Sequence, residues 1–291
     1  MQFLMFKKDG QKGLAIRKDG SGFVGLLEGD PNYPGSLDQL IAHPAPGLAA
    51  AAQALLAGKA VDMASVKVLP PLSSPGKIIC IGLNYREHAL ESGMQIPEHP
   101  TLFARFPSGL IGDGEPIMRP AESDKLDYEG ELVAVIGKAG RRIAAADALS
   151  HVVGYSIFND GSIRDFQLRT TQWTMGKNFD GTGAFGPTLV TADELPPGAR
   201  GLHLETRLNG QVMQSTSTDD LIFDVASLVS QISAGMTLLP GDLIVTGTPS
   251  GVGGARKPPV YMKAGDVCEV EIERLGILRN PVVDDTAANA A

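Results

Sequence analysis

Asp127-Tyr128-Glu129-Gly130-Glu131 sets two carboxylates two residues apart, directly before the β-branched run Leu132-Val133-Ala134-Val135-Ile136. A short apolar run of this kind ending at Gly137 reads as a buried strand. Side chains two apart on a strand share a face, so Glu129 and Glu131 point the same way. Two adjacent carboxylates repel unless something neutralises them. A hard divalent cation does this most simply, because Mg²⁺, Mn²⁺ and Ca²⁺ all favour oxygen ligands. Taken alone, the pair also fits a solvated strand end. Asp160 closes a second apolar segment, 31 residues after Glu129, where one strand-turn-strand excursion brings it alongside as a third oxygen ligand. His88 and Glu91 are three apart on a short helix expected over 86–93 and share its face. A carboxylate beside an imidazole raises its basicity, as a water-activating base requires; a surface ion pair is the plainer alternative.

Other residues could recognise an anion. Arg164 and Gln167 share a face and suit carboxylate and carbonyl binding. Lys177, in Gly176-Lys177-Asn178-Phe179, sits where its amine could be buried beside an anion. Arg105 is a lone cation among apolar neighbours, either an anion contact or a snorkelling side chain. The glycines of Gly247-Thr248-Pro249-Ser250-Gly251-Val252-Gly253-Gly254 let backbone amides approach a ligand. The other histidines are plainer: His43 and His99 precede prolines in loops, and His151 and His203 lie in apolar strand-like contexts that suit a core role.

The elements that must position these groups come from a chain of 291 residues, 43% hydrophobic and 20% charged, as expected of a globular protein with a substantial core. A net charge of −8 argues against nucleic acid or an anionic membrane as partner, and no apolar run nears the roughly 20 residues that span a bilayer. The N-terminal lysines follow a very short apolar piece, the wrong order for a secretory signal. Two cysteines, Cys80 and Cys268, are too few for a disulfide framework; a reducing cytoplasm is the expected location. Residues 1–30 read as a β-meander with turns at Lys8-Asp9-Gly10 and Asp19-Gly20-Ser21-Gly22. Helices are expected over 36–42 and 47–56 and a strand over 66–69. The Pro- and Gly-rich 70–76 is the best linker, so a small N-terminal domain is expected over 1–72, a catalytic domain over 76–283 and a flexible tail over 284–291. Strands are expected over 77–81, 101–106, 152–158, 243–245, 260–262 and 267–273. A hairpin is expected at Asn209-Gly210 and a core helix over 225–236.

Five segments occur together in one order: Gly82-Leu83-Asn84-Tyr85-Arg86-Glu87-His88, Asp127-Tyr128-Glu129-Gly130-Glu131-Leu132, Asn159-Asp160-Gly161-Ser162-Ile163-Arg164-Asp165-Phe166-Gln167, Gly176-Lys177, and Thr246-Gly247-Thr248-Pro249-Ser250-Gly251-Val252-Gly253. In these the chain resembles the fumarylacetoacetate hydrolase family over residues 76–283. The resemblance implies an α+β, mostly β fold: a mixed β-sandwich roll with a small N-terminal α/β domain, assembled as a homodimer. It implies that Glu129, Glu131 and Asp160 bind Mg²⁺, Mn²⁺ or Ca²⁺, and that His88 and Glu91 form the dyad of the acylpyruvase- and decarboxylase-like branch. It implies that Lys177 is catalytic and that Arg105, Arg164, Gln167 and Thr248 contact substrate. Where the eponymous hydrolases carry a further Asp shortly before the catalytic His, this chain has Cys80-Ile81-Gly82, which argues against fumarylacetoacetate as substrate. Arg105 stands where many members have Lys. The expected activity is hydrolysis of the C–C bond of an acylpyruvate or related 2,4-diketo acid in aromatic-compound or sugar-acid breakdown. In that reaction the metal stabilises an enolate and His88, helped by Glu91, activates water. The alternative is decarboxylation, or keto–enol or double-bond isomerisation, of an oxaloacetate-like or ring-cleavage-derived diacid.

Overall fold

The computed structural model describes residues 1–18, 22–43, 47–91 and 95–286. The chain opens with a meander of β1 (Gln2–Lys8), β2 (Gln11–Lys18) and β3 (Gly22–Leu27). Asp9 and Gly10 both take positive φ, 48° and 84°, the turn whose twist matches two antiparallel strands. The second expected turn lies mostly outside the described residues. Helix α1 (Leu37–Ala42) is started by a capping box, in which Ser36 and Gln39 satisfy each other's exposed amides. With α2 (Gly47–Leu56) it buries Leu37, Leu40, Ile41, Ala51, Ala52 and Leu55.

The site-bearing part begins with β4 (Ile78–Gly82), α3 (Arg86–Glu91) and β5 (Thr101–Arg105). Next come β6 (Gly130–Ile136), β7 (Val152–Asp160), the single turns α4 (Arg164–Gln167) and α5 (Thr174–Lys177), and β8 (Gly183–Thr191). The chain closes with β9 (His203–Leu208), β10 (Gln211–Ser217), α6 (Val225–Gly235), β11 (Leu243–Val245), β12 (Val267–Ile272) and β13 (Gly276–Asp284). Two of the sheets carry the architecture. The larger has twelve strands and runs β3-β2-β1-β8-β7-β6-β11-β4-β5 through its main part; the smaller has five and runs β10-β9-β12-β13 before a short edge strand at Ile117–Arg119. β1 pairs with β8, so the N-terminal meander continues the large sheet. The fold is α+β and mostly β.

The reason the run after Glu131 is apolar without alternation lies in its position. β6 is buried along its whole length. Leu132, Ala134 and Ile136 face a core shared with Leu204, Val270 and Ile232 of the small sheet and α6, whereas Val133 and Val135 face one shared with Leu37 and Leu55 of the N-terminal helices. A strand covered on both faces is selected for continuous hydrophobicity. Gly130 sits where the small sheet approaches β6 too closely for a side chain: a Cβ there would lie 2.2 Å from Thr206 Oγ1 and 2.9 Å from Val270 Cγ1. Gly130→Ala is therefore expected to force the sheets apart beside both glutamates and to lower unfolding free energy by roughly 1–3 kcal/mol in urea titration. Stability equal to wild type would show that the sheets yield freely there.

Two expectations change, and two strands go unread. Residues 260–262 are irregular: the Val260 amide bonds Gly253 in a 3₁₀ turn and the Met262 amide bonds Leu126 in a two-residue strand, which forms no ladder. β8 and β13 escape sequence reading because glycines and Pro187 break the pattern of one and Asn280-Pro281 interrupts the other. Asp284, expected to open the tail, ends β13 opposite Arg119; residues 287–291 lie outside those described. The Asn209-Gly210 hairpin is present, both residues having positive φ. Gly93, expected to close α3, also lies outside the described residues.

Candidate active site with a buried acidic triad

The floor of the site is a network of buried charge. Period-two spacing carries Glu129 and Glu131 to one place, and Asp160 ends the adjacent strand β7. One carboxylate oxygen from each lies within 4.8 Å of the others. Lys177, delivered by α5 and 1% exposed, donates to Glu129 Oε2 at 2.5 Å and Asp160 Oδ2 at 2.7 Å. Arg164, from α4, holds Glu129 Oε1 at 2.6 Å, Asp127 Oδ2 at 2.7 Å and Gln167 Oε1 at 2.9 Å. Arg105 donates to Asp160 Oδ1 at 2.5 Å, the Gly161 carbonyl at 3.1 Å and Thr182 Oγ1 at 2.8 Å.

Counting these groups exposes an imbalance. Four carboxylates, Asp127, Glu129, Glu131 and Asp160, meet three cations, Arg105, Arg164 and Lys177. Among the described residues, the one hydrogen bond that the Glu131 carboxylate receives is from the Gly247 amide, at 2.6 Å. Burial first, then Asp160 and Glu129, push the Glu131 carboxyl well above the ordinary range. Burial opposes ionisation of Glu129 as well, yet Lys177 and Arg164 outweigh it and draw that carboxyl down to about 2. Lys177 is desolvated too, but Asp160 and Glu129 raise its pKa and keep it charged. A buried carboxylate with no cation is costly. Three converging hard oxygen donors, one of them lacking a counter-charge, fit a divalent metal ion. Glu129, Glu131 and Asp160 would hold it.

Above this floor opens a cleft of about 390 Å³ lined by His88, Glu91, Glu129, Glu131, Arg164, Gln167, Lys177 and Thr248 among others. Its apolar wall is Ile81, Phe103, Leu168, Trp173, Val252 and Tyr261. His88 is 8% exposed, and its Nδ1 lies 3.6 Å from Glu91 Oε2, ion-pair range but too long for a hydrogen bond. The neighbouring imidazole lowers the Glu91 pKa against its partial burial, helped by the Gly251 amide, which donates to Glu91 at 3.0 Å. Glu91 thus faces the base and is anchored to the glycine loop.

The residues singled out from sequence therefore converge, with one difference of place. Arg105, expected among the substrate contacts, lies beneath the floor with 2% exposure and grips Asp160 instead of lining the cleft; β5 ends there, so its side chain points into the protein. His151 is buried and bonds the Lys138 carbonyl, whereas His203, expected in the core, is exposed and bonds Ser215, because β9 turns it outward. Asp127 went unread, although the period-two pattern of the two glutamates extends to it: it accepts from Arg164 and from the Gly253 and Gly254 amides at 2.8 Å each, fastening the glycine loop to the floor. Trp173 and Phe103 form an edge-to-face pair, centroids 5.5 Å apart, that no local motif announces.

Known proteins resemble this chain in sequence and in fold. The model of the fumarylacetoacetate hydrolase C-terminal domain matches residues 77–283. The mitochondrial oxaloacetate tautomerase fahd2 of Xenopus laevis is 40% identical over 269 residues, covering 91% of this chain and 84% of that protein. The human mitochondrial oxaloacetate tautomerase FAHD2A is 39% identical over 268 residues, covering 91% and 85%. Among solved structures, a fumarylacetoacetate hydrolase from Exiguobacterium antarcticum superposes with a TM-score of 0.86 at 38% identity, covering 98% of this chain and 100% of that one. A 5-carboxymethyl-2-hydroxymuconate delta-isomerase from Mycobacterium smegmatis gives 0.77 at 34%, with the same coverage. Among the described residues no helix is long and apolar enough to cross a membrane. With the family model matching residues 77–283 and relatives about 40% identical over 91% of its length, the chain belongs to the fumarylacetoacetate hydrolase family.

Proposed function

We propose that this protein is a metal-dependent tautomerase that interconverts the keto and enol forms of an oxaloacetate-like 2-oxo diacid. The observation that carries the reading is one imidazole, His88, lining the same small cleft as two members of the buried acidic triad, Glu129 and Glu131, and two cations, Arg164 and Lys177. The activities that these relatives are named for, oxaloacetate tautomerase and a muconate delta-isomerase, are both movements of a proton along a 2-oxo or 2-hydroxy acid framework. The C–C hydrolase expected from sequence demands more of the same parts, namely a water aligned between His88 and an acyl carbonyl. Those activities favour the simpler proton transfer.

A bound Mg²⁺ or Mn²⁺ would supply Lewis-acid polarisation of the 2-oxo oxygen. The chain's own groups do the rest. Arg164 has one guanidinium nitrogen, NH2, buried without a hydrogen-bond partner, free to take a substrate carboxylate. Lys177 stays cationic and offers positive charge to the oxygen that becomes negative as the proton leaves carbon. His88 removes the proton from the carbon next to the carbonyl, Glu91 stabilises the resulting imidazolium, and the proton is then delivered to the enolate oxygen, giving the enol. The apolar wall excludes water that would compete for it. In D₂O, proton NMR of oxaloacetate with the Mg²⁺-loaded protein is expected to show methylene exchange above an EDTA control. Release of acetate and pyruvate from acetylpyruvate, with no effect on that exchange, would return the reading to hydrolase.

A further inference from the structure

Thr248 belongs to a hydrogen-bond circuit that leaves its hydroxyl a single role. Gln214 lies on β10 in the small sheet, is 1% exposed and reaches across to the floor of the site. Its Oε1 accepts the Gly130 amide at 3.0 Å. A backbone amide only donates, so this contact fixes which end of the side-chain amide is oxygen. The nitrogen then uses both hydrogens, on Thr248 Oγ1 at 2.8 Å and the Pro249 carbonyl at 2.9 Å. Thr248 Oγ1 in turn donates its one hydrogen to the Gly130 carbonyl at 3.0 Å, a group that can only accept. What Thr248 retains is one lone pair, on a residue that lines the cleft.

We infer that Gln214 is a positioning residue that holds Thr248 as an acceptor only, so that this wall selects ligands presenting a hydroxyl hydrogen, an enol or a 2-hydroxy acid, over ligands offering only carboxylate or keto oxygens. A keto oxygen at this wall meets a lone pair and gains nothing. An enol hydroxyl donates to it. The inference deepens the tautomerase reading and rests on it for the ligand class; the circuit itself is independent of the reaction. It also joins specificity to the floor, because the Gly130 peptide that terminates the circuit lies between Glu129 and Glu131.

The test is calorimetric binding of D-malate, L-malate and succinate to the Mg²⁺-loaded protein, diacids that differ by one hydroxyl. Wild type is expected to bind the better malate enantiomer more tightly than succinate. Thr248→Val is expected to cut that preference about tenfold, the worth of one hydrogen bond, with succinate affinity unchanged. Thr248→Ser is expected to keep it. Gln214→Leu removes the donor that fixes which lone pair of the Thr248 hydroxyl faces the cleft, while the Gly130 carbonyl still takes its hydrogen; the malate preference is expected to shrink with succinate affinity unchanged, whereas general damage would weaken every ligand. Equal weakening of malate and succinate by Thr248→Val would overturn the inference. So would a Gln214→Leu variant that keeps the preference or weakens both ligands, or a wild type that binds malate no better than succinate, absent binding of both included. Oxaloacetate turnover is scored separately: the preference without turnover sinks the tautomerase reading alone, and turnover without the preference sinks this inference alone.

Discussion

Glu131→Gln is expected to move metal-free and metal-loaded stability in opposite directions. Glu131 is the fourth carboxylate of a floor with three cations, and among the described residues the one hydrogen bond it receives is from the Gly247 amide. The amide oxygen of the substituted side chain can accept the same hydrogen bond, so the metal-free fold loses a poorly compensated acid and keeps its geometry. Burial, Asp160 and Glu129 hold the Glu131 carboxyl above its ordinary range. The folded chain therefore keeps a proton there that the unfolded chain has lost. Metal-free stability falls as pH rises past the ordinary glutamate range, and the substitution removes that slope. Glu129 behaves oppositely: its carboxyl is drawn to about 2, so its stabilisation is full above the ordinary glutamate range and is lost progressively as pH falls from there toward that value. In the metal-loaded protein Glu131 is one of three oxygen donors, and its loss is expected to weaken Mn²⁺ by at least about a hundredfold, beyond the usual effect of an outer-shell change. Melting curves with and without Mn²⁺ read both effects, since a ligand bound only by the folded state raises the melting temperature. An unchanged Mn²⁺-induced rise would remove Glu131 from the metal site.

His88→Ala is expected to lower turnover by roughly 10²–10⁴-fold, the ordinary contribution of a positioned general base. Mn²⁺ affinity is expected to stay within about threefold of wild type, because the imidazole lines the cleft and no triad carboxylate bonds to it; a larger change would place it among the ligands. The check is a pair of measurements on one preparation, initial rate and metal titration. A variant that retains turnover shifts the proton transfer to another group, and Lys177 is poorly suited, as Asp160 and Glu129 keep it charged.

Much of this site was legible because its chemistry is written at short range. The strand period places Glu129 beside Glu131, and the helical period places His88 beside Glu91. Asp160 was legible as the last residue of an apolar segment that turns out to pair with β6. What stayed hidden depends on distant partners. Arg105 reads as a lone cation until β5 is known to run under the floor, where Asp160 and Thr182 await it. Gln214 sits in an unremarkable polar stretch of β10 and acquires meaning only because Gly130 lets the small sheet approach β6. β13 was invisible because Pro281 lies within it, opposite Val267 of β12, and a proline argues against reading an internal strand. The N-terminal meander was legible as strands, but its edge-to-edge union with β8 is a pairing across nearly 190 residues that no local pattern records.

The measurement that tests the central claim most directly follows the enol absorbance of freshly dissolved oxaloacetate in the presence of the Mg²⁺-loaded protein, the same protein with excess EDTA, and the loaded His88→Ala variant. The account predicts that enol decays to keto faster with loaded wild type than in buffer, and at the buffer rate in the other two samples. Decay at the buffer rate in all three, with acetate and pyruvate appearing from acetylpyruvate under the same conditions, would contradict it.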